Sequence, residues 1–150
     1  MGVLISNRQK RKRIHLRTTR QKAQAILNAL DYPEHELSIL IVDDSRIEIL
    51  NRDYLHHEGP TNVISFPMQE GECSGINPHI LGDVVISVDT AIREAALAGI
   101  SFHLRFIQLL IHGILHLAGY DHEGSEADAE KMEAKSEELI HMLSQLKETA

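Results

Sequence analysis

Three histidines at positions 112, 116 and 122 of this 150-residue chain have the spacing of a metal site. Residues four apart lie on one face of a helix, so His112 and His116 are expected to point the same way. Gly119 comes three residues later, and glycine ends helices because it adopts the left-handed cap conformation without steric cost. The chain can then bring His122 back toward the other two. Three converging imidazoles with an open fourth position are typical of catalytic zinc, so this spacing predicts one zinc ion per chain.

Other features of the same segment limit what the metal would do. Nickel, iron and copper also bind imidazole, so the residue types alone do not select zinc. The spacing is that of the long zinc-protease motif H-E-x-x-H-x-x-G-x-x-H at every position but one. The glutamate that serves as general base in those proteases is replaced by Gly113, which has no side chain to accept a proton. The segment therefore indicates a protease-like metal site without the protease base. The alternative is a purely structural cluster of histidines.

Residues 112–122, His-Gly-Ile-Leu-His-Leu-Ala-Gly-Tyr-Asp-His, resemble the signature of the YbeY family. Members of that family are bacterial metal-dependent endoribonucleases that act in ribosomal RNA maturation. Two further stretches agree with the family and occur in its order. Residues 50–54 read Leu-Asn-Arg-Asp-Tyr and are followed at 60–67 by Pro-Thr-Asn-Val-Ile-Ser-Phe-Pro, and residues 81–87 read Leu-Gly-Asp-Val-Val-Ile-Ser. With the helical patterns around them, the resemblance covers nearly the whole chain.

The resemblance implies a function and a set of partners. It implies a single-strand-specific endoribonuclease that acts on ribosomal RNA of the small ribosomal subunit, with His112, His116 and His122 as metal ligands. It implies neither a membrane nor a DNA partner. Two alternatives stay open on the residues alone. One is a metal-dependent hydrolase of a peptide or small molecule, and the other is a non-enzymatic ribosome-assembly factor whose metal only joins the helix to the following turn.

The sequence departs from the family at one position of the second stretch. The family typically carries an arginine after the aromatic residue, and this chain has Leu55 there, followed by His56 and His57. The role of that arginine is therefore not carried over. Arg105 or one of these two histidines is a candidate for holding a phosphate. Asp121 is a candidate for orienting a metal-bound imidazole, or alternatively a turn residue that bonds nearby amides.

The charged residues are distributed unevenly along the chain. The net charge of −7 does not favour a nucleic-acid partner, because phosphate binding needs a basic surface. However, eight of the 15 basic residues lie between Arg8 and Lys22, and many acidic residues lie between Glu123 and Glu148. This asymmetry leaves room for a basic surface that faces RNA. The alternative is a solvated edge strand followed by the start of a helix.

The composition indicates a soluble globular protein of the cytoplasm. The apolar fraction of 43% and the charged fraction of 25% are ordinary for such proteins. No stretch of 18 apolar residues is present, so no membrane span is expected. Residues 1–5 are apolar but too few for a secretory signal. The single cysteine, Cys73, excludes an internal disulfide and suits a reducing compartment.

Hydrophobic periodicity predicts an α+β fold, in which residues 1–150 form a single domain with a mixed sheet of three to four strands and about five helices. The predicted strands are 3–6 with 13–17, then 37–42, 63–66 and 81–88. The predicted helices run from Thr18 or Thr19 to about 30, from 43–45 to 54, from a cap at Asp89 to 98, from a cap at Ser101 to 118, and from a cap at Ser125 onward. Residues 68–80 are predicted to form a long loop.

The helix predicted at 102–118 is the centre of this architecture. It is apolar almost all round, which is typical of a helix buried on most sides. Apart from His103 in the first turn, where solvent is near, its polar residues fall on a single stripe formed by Arg105, Gln108, His112 and His116. A buried helix with one polar stripe is expected to use it for a site. The sequence therefore predicts a central buried helix that carries the metal site, with His112 and His116 on the helix itself.

Overall fold

A four-stranded mixed sheet is the framework of the protein. The computed structural model describes residues 2–68, 79–121 and 123–146. The strands are β1 (Val3–Asn7), β2 (Glu36–Val42), β3 (Val63–Pro67) and β4 (Ile80–Ser87). Their order is β1-β2-β4-β3; β1, β2 and β4 run parallel, and β3 pairs antiparallel with β4 at one edge. Parallel neighbours need crossover connections, which helices provide here.

Five helices complete the described part of the chain, and they confirm the predicted α+β fold with a mixed sheet. They are α1 (Leu16–Ala29), α2 (Asp44–Leu55), α3 (Val88–Ala98), α4 (Phe102–Leu117) and α5 (Glu126–Ser144). Among the described residues, no single helix is long and apolar enough to cross a membrane. The one combination that reaches this length, α3 with α4, is bent by 117°.

Helix α4 lies at the centre of the larger hydrophobic core. It packs against β3, β4, α1, α3 and α5. Leu110, Ile111 and Ile114 have no exposed surface, and burial of each such side chain contributes about 2 kcal/mol. The histidines at 112 and 116 are only half-buried, on the polar stripe of the same helix. The prediction of a central buried helix is confirmed.

Helix α2 packs against the other face of the sheet and forms a smaller core there. Ile47 from the helix and Val42, Ile64 and Val85 from the strands are buried together. The helix is capped by Asp43, whose side chain accepts a hydrogen bond from the N–H of Arg46. Because α2 ends at Leu55, this packing brings the last residue of the helix beside the edge of the sheet that β3 forms.

Asp44, at the start of α2, joins that helix to the start of α3. Its carboxylate accepts hydrogen bonds from Ser87 Oγ at 2.6 Å, Thr90 Oγ1 at 2.7 Å and Arg93 Nη1 at 2.8 Å. Burial by itself raises the pKa of Asp44, but these hydrogen bonds and the charge of Arg93 outweigh it and lower the pKa below its ordinary value of 3.8. The ionised carboxylate therefore stabilises the folded protein.

Three local signals in the sequence are confirmed at helix ends. Ser101 Oγ accepts the N–H of Leu104 at 3.0 Å at the start of α4, and Ser125 Oγ accepts the N–H of Asp128 at 3.0 Å at the start of α5. Gly119 follows α4 with a φ of +97°, the left-handed conformation that glycine adopts at low cost.

The predicted strand at 13–17 is wrong. The first strand ends at Asn7, and helix α1 already begins at Leu16. The reason is Gln9, which is only 7% exposed. Its Nε2 donates to the carbonyl of Lys12 at 2.7 Å and its Oε1 accepts the N–H of Lys12 at 2.9 Å. These two bonds close a loop and take the backbone of residues 9–12 away from strand pairing.

Two predicted helix caps are also wrong. His15 precedes α1, and Thr19, instead of capping, donates its Oγ1 to the carbonyl of His15 at 2.9 Å. At α3 the cap is Ser87 rather than Asp89, and its Oγ accepts the backbone N–H three residues later at 3.4 Å. Helix α3 begins directly at the end of β4, so the last strand residue takes the capping position. Most of the loop predicted at 68–80 lies outside the described residues, as does Cys73.

Candidate metal centre

Two of the three predicted metal ligands lie side by side on α4. The Nε2 atoms of His112 and His116 are 3.1 Å apart, and their ring centroids are 4.6 Å apart at an interplanar angle of 79°. Two imidazole nitrogens that bind one tetrahedral zinc ion at about 2.05 Å are separated by about 3.3 Å. Both rings thus present their Nε2 atoms at a separation that fits two ligands of one ion.

The third predicted ligand, His122, lies outside the described residues. Within residues 2–68, 79–121 and 123–146, no group of three His, Cys, Asp or Glu side chains is arranged to hold a metal ion. The described part of the chain therefore contains two of the three predicted ligands, His112 and His116. The three-histidine site stays a prediction.

The two histidines open into a groove of about 920 Å³. The groove is lined by β3 and the two residues before it, by Leu55 at the end of α2, and by the turn that follows α4. The charged side chains among the described lining residues are the carboxylates of Asp121 and Glu123; no lysine or arginine is among them. A phosphate group that enters this groove would need a cation, because carboxylates repel it.

The packing of α4 on the sheet explains why residue 113 is a glycine. A Cβ atom added at Gly113 would lie 2.6 Å from Val84 Cγ1 and 3.2 Å from Val63 Cγ2. The carbonyl of Gly113 also accepts a hydrogen bond from Ser65 Oγ at 2.8 Å, which ties the helix to β3. Residue 113 therefore faces the sheet rather than the groove. A glutamate at this position could not serve the site without moving the helix.

Arg105 is engaged by other side chains on the polar stripe. Its Nε and Nη2 both lie 3.0 Å from Glu94 Oε1, and its Nη1 donates to Gln108 Oε1 at 2.8 Å. Asn62 Nδ2 donates to both oxygens of Glu94 at 3.2 Å. Asn62, Arg105 and Gln108 border a second cavity of about 550 Å³, and Asn62 and His112 line both this cavity and the groove. Arg105 was a candidate for holding a phosphate, but its guanidinium is paired with the carboxylate of Glu94.

Sequence reasoning missed Asn62 and Glu94. Asn62 belongs to the Pro-Thr-Asn stretch on which the family resemblance rests, so that stretch was the available signal. Glu94 gave no signal, because it reaches Asn62 and Arg105 only through the packing of α3 against α4.

The other predicted site residues have different surroundings. Asp121 Oδ1 accepts the N–H of Glu123 at 2.9 Å, which is the turn role given as its alternative. His56 ends α2 in the left-handed conformation with a φ of 59°, and both His56 and His57 are exposed. Neither histidine is among the described residues that line the groove, whereas Leu55 is. The position of the family arginine therefore faces the site as an apolar side chain.

Comparisons with known proteins agree with this architecture. Residues 4–144 match the family model described as Endoribonuclease YbeY. A protein named Endoribonuclease YbeY from Geobacter sulfurreducens is 55% identical over 144 residues, which cover 95% of this chain and 96% of that protein. One of the same name from Pelotomaculum thermopropionicum is 43% identical over 149 residues, with coverages of 95% and 97%.

A solved structure is similar in fold. The solution structure of TM1509 from Thermotoga maritima matches with a TM-score of 0.68 at 23% sequence identity, and the match covers 94% of this chain and 88% of that chain. At that identity the likeness shows the fold alone. The family model and the relatives cover nearly the whole sequence, and their span includes the paired histidines, the groove and the sheet edge beside them. This chain therefore belongs to the YbeY family.

Proposed function

We propose that this chain is a zinc-dependent endoribonuclease that cleaves single-stranded RNA during ribosomal RNA maturation in the cytoplasm. Membership of a family described as endoribonuclease supports RNA cleavage. The observation that supports a bound metal ion is the 3.1 Å separation of the His112 and His116 Nε2 atoms. Both histidines are half-buried and line an open groove. In a groove whose described lining includes no lysine or arginine, a bound cation supplies the positive charge that a phosphodiester needs.

His112, His116 and His122 would hold the ion. When bound, zinc lowers the pKa of a coordinated water to about 7 and stabilises negative charge on phosphoryl oxygens. The residues around it set the shape of the site. The Ser65–Gly113 hydrogen bond fixes the distance between α4 and β3, and the strand gives the groove one wall along which an extended RNA strand can lie.

The lack of a side chain at Gly113 affects RNA cleavage less than proteolysis. In RNA, the 2′-hydroxyl next to the scissile phosphate can itself act as the nucleophile. A single 2′-deoxy substitution at the cut is then expected to abolish cleavage there while cuts elsewhere continue. An unchanged rate at the substituted site would show that water attacks instead, and would remove this part of the proposal.

The central experiment compares His116→Ala with His141→Ala, which removes an exposed histidine on α5. Zinc content by mass spectrometry, urea unfolding and cleavage of a labelled single-stranded RNA are measured for each. We expect about one zinc per chain in the parent protein and in His141→Ala, and a folded His116→Ala variant that has lost zinc and at least about 100-fold of the cleavage rate.

Other results would contradict the proposal in distinguishable ways. If His116→Ala unfolds together with metal loss, the metal is structural and the assembly-factor alternative gains support. If the metal-free parent protein cleaves RNA at the same rate, the metal is not required. If the zinc-loaded protein cleaves no RNA but hydrolyses a peptide or small ester, the chain is a hydrolase of another substrate.

A further inference from the structure

A third cavity, with basic walls, lies at the other end of α4 from the histidine pair. It measures about 470 Å³ and lies between the loop that precedes α1 and the first turn of α4. Lys12, Arg13 and His15 line it from the loop, and Phe102 and His103 line it from α4. We call these five residues the basic cradle. They include part of the cationic stretch between Arg8 and Lys22, which the metal site does not use.

The backbone of the cradle at Lys12 is fixed by hydrogen bonds from a buried side chain. Gln9, 7% exposed, bonds to both backbone groups of Lys12 at 2.7 and 2.9 Å, and its Nε2 also donates to Asn7 Oδ1 at 2.9 Å. The ammonium of Lys12 lies 5.1 Å from the centroid of the Phe102 ring, a cation–π distance. Lys12 is therefore held in position rather than carried on a free tail, which lowers the entropy cost of binding a ligand.

The charges of Lys12 and Arg13 are not neutralised within the described part of the chain. The ion pairs among the described residues include neither Lys12 nor Arg13; they join Arg11 to Asp89 at 3.4 Å, Arg52 to Asp53, Arg93 to Asp44, Arg105 to Glu94 and Lys135 to Glu138. The first turns of α1 and α4 contain no acidic residue. Both helix N-termini add a partial positive charge to the same region. The cradle is thus a local positive field on a chain of net charge −7.

The cradle is too far from the histidine pair to take part in bond cleavage. His103 and His112 are nine residues apart on α4, which corresponds to about 14 Å along the helix axis. Phe102 lies roughly a quarter turn around the helix from the stripe of His112. A ligand group in the cradle and a group at the paired imidazoles would therefore be different parts of one extended molecule.

We propose that the basic cradle binds the sugar-phosphate backbone of the RNA substrate at a position away from the cut. This inference rests on the proposed function, and it adds a contact that the groove does not offer. The described lining of the groove contains carboxylates and no lysine or arginine. The cradle offers Lys12 and Arg13, which take part in none of the ion pairs among the described residues. The cradle therefore contributes affinity, and the groove determines where the chain is cut.

The test compares two double variants of equal charge change. Lys12→Gln with Arg13→Gln neutralises the cradle, and Arg46→Gln with Lys131→Gln neutralises two exposed cations elsewhere. Binding of a fluorescently labelled single-stranded RNA is measured by anisotropy over a range of salt concentrations, with chelator present so that no cleavage occurs. Each lost phosphate contact lowers the slope of log Kd against log salt by about 0.7, so the cradle variant is expected to lose about 1.4.

The cradle variant is also expected to bind RNA several-fold more weakly than the control variant. In cleavage assays with metal present, its kcat should be unchanged and its KM for RNA should be raised. Equal Kd and equal salt slope in the two double variants would overturn the proposal, as would a parent protein that binds no RNA. Loss of binding to anionic lipid vesicles or to an acidic protein, without loss of RNA binding, would overturn it in favour of another partner class. If the protein binds RNA through the cradle but does not cleave RNA, the cradle proposal is supported and the proposed function is refuted.

Discussion

Substitution of Gly113 by alanine tests whether the close approach of α4 to the sheet sets the identity of this residue. On helix propensity alone, Gly113→Ala should stabilise the protein by about 1 kcal/mol. The structure predicts the opposite sign. The new Cβ would lie 2.6 Å from Val84 Cγ1 and 3.2 Å from Val84 Cγ2 and Val63 Cγ2. Valine is stiff at χ1 and Val84 is fully buried, so the methyl groups of Val84 cannot move away cheaply.

The magnitude follows from these two opposing effects. Insertion of a methyl group into a well-packed core costs up to about 3 kcal/mol. After subtraction of the propensity gain, the net loss in the free energy of unfolding is about 2 kcal/mol. In a protein of this length, that loss corresponds to a fall in Tm of about 6 °C. Gly113→Glu should be worse, because a carboxylate would be forced against the sheet.

Urea unfolding followed by circular dichroism would measure the effect in a double-mutant cycle with Val84→Ala. The valine truncation alone should cost about 2 kcal/mol. In its presence, Gly113→Ala should change stability by less than about 1 kcal/mol, because the methyl group closest to the new Cβ has been removed. If Gly113→Ala stabilises the protein in both backgrounds and the coupling energy is zero, the packing explanation for the missing base is refuted.

Two further predictions concern the groove and the junction of α2 with α3. Leu55→Arg places a cation in the groove, so RNA should bind more tightly and the slope of log Kd against log salt should be steeper by about 0.7. An unchanged slope in the anisotropy titration would count against the placement of residue 55 in the groove. Asp44→Asn weakens the hydrogen bonds from Ser87, Thr90 and Arg93 and should cost about 1–2 kcal/mol at pH 7. The pKa of Asp44 is lower in the folded protein than in the unfolded chain, so its contribution to the free energy of unfolding is complete above about pH 4 and is lost as the pH falls through the folded pKa. The urea midpoints of the parent protein and Asp44→Asn should therefore converge in acid.

The parts of the fold that the sequence predicted correctly depend on near neighbours in the chain. Ser101 and Ser125 cap their helices by bonds to N–H groups three residues away, and Gly119 ends α4 through its own backbone conformation. The placement of His112 and His116 on one face follows from helix geometry alone. Such signals are complete within a few residues, so no knowledge of the tertiary structure is needed to read them.

The failures come from contacts whose effect depends on packing. The alternation at 13–17 looked like a strand, but the burial of Gln9 closes the chain into a loop and lets α1 begin earlier. The same applies to Arg105, whose partner Glu94 comes from another helix. The sequence shows that Gly113 replaces the protease base, but it does not show why this residue is a glycine. The reason is contact with Val84, on a strand nearly thirty residues away in sequence.

The position of the two histidines on the most deeply buried helix affects how the site responds to local fluctuations. Segments on the surface open many times before the whole protein unfolds, whereas a central helix opens only with the entire domain. The amide protons of His112 and His116 should thus be protected from solvent exchange to nearly the full free energy of unfolding. Both imidazole-bearing backbone positions are then held in place before any ligand arrives, and this rigidity persists for as long as the protein stays folded.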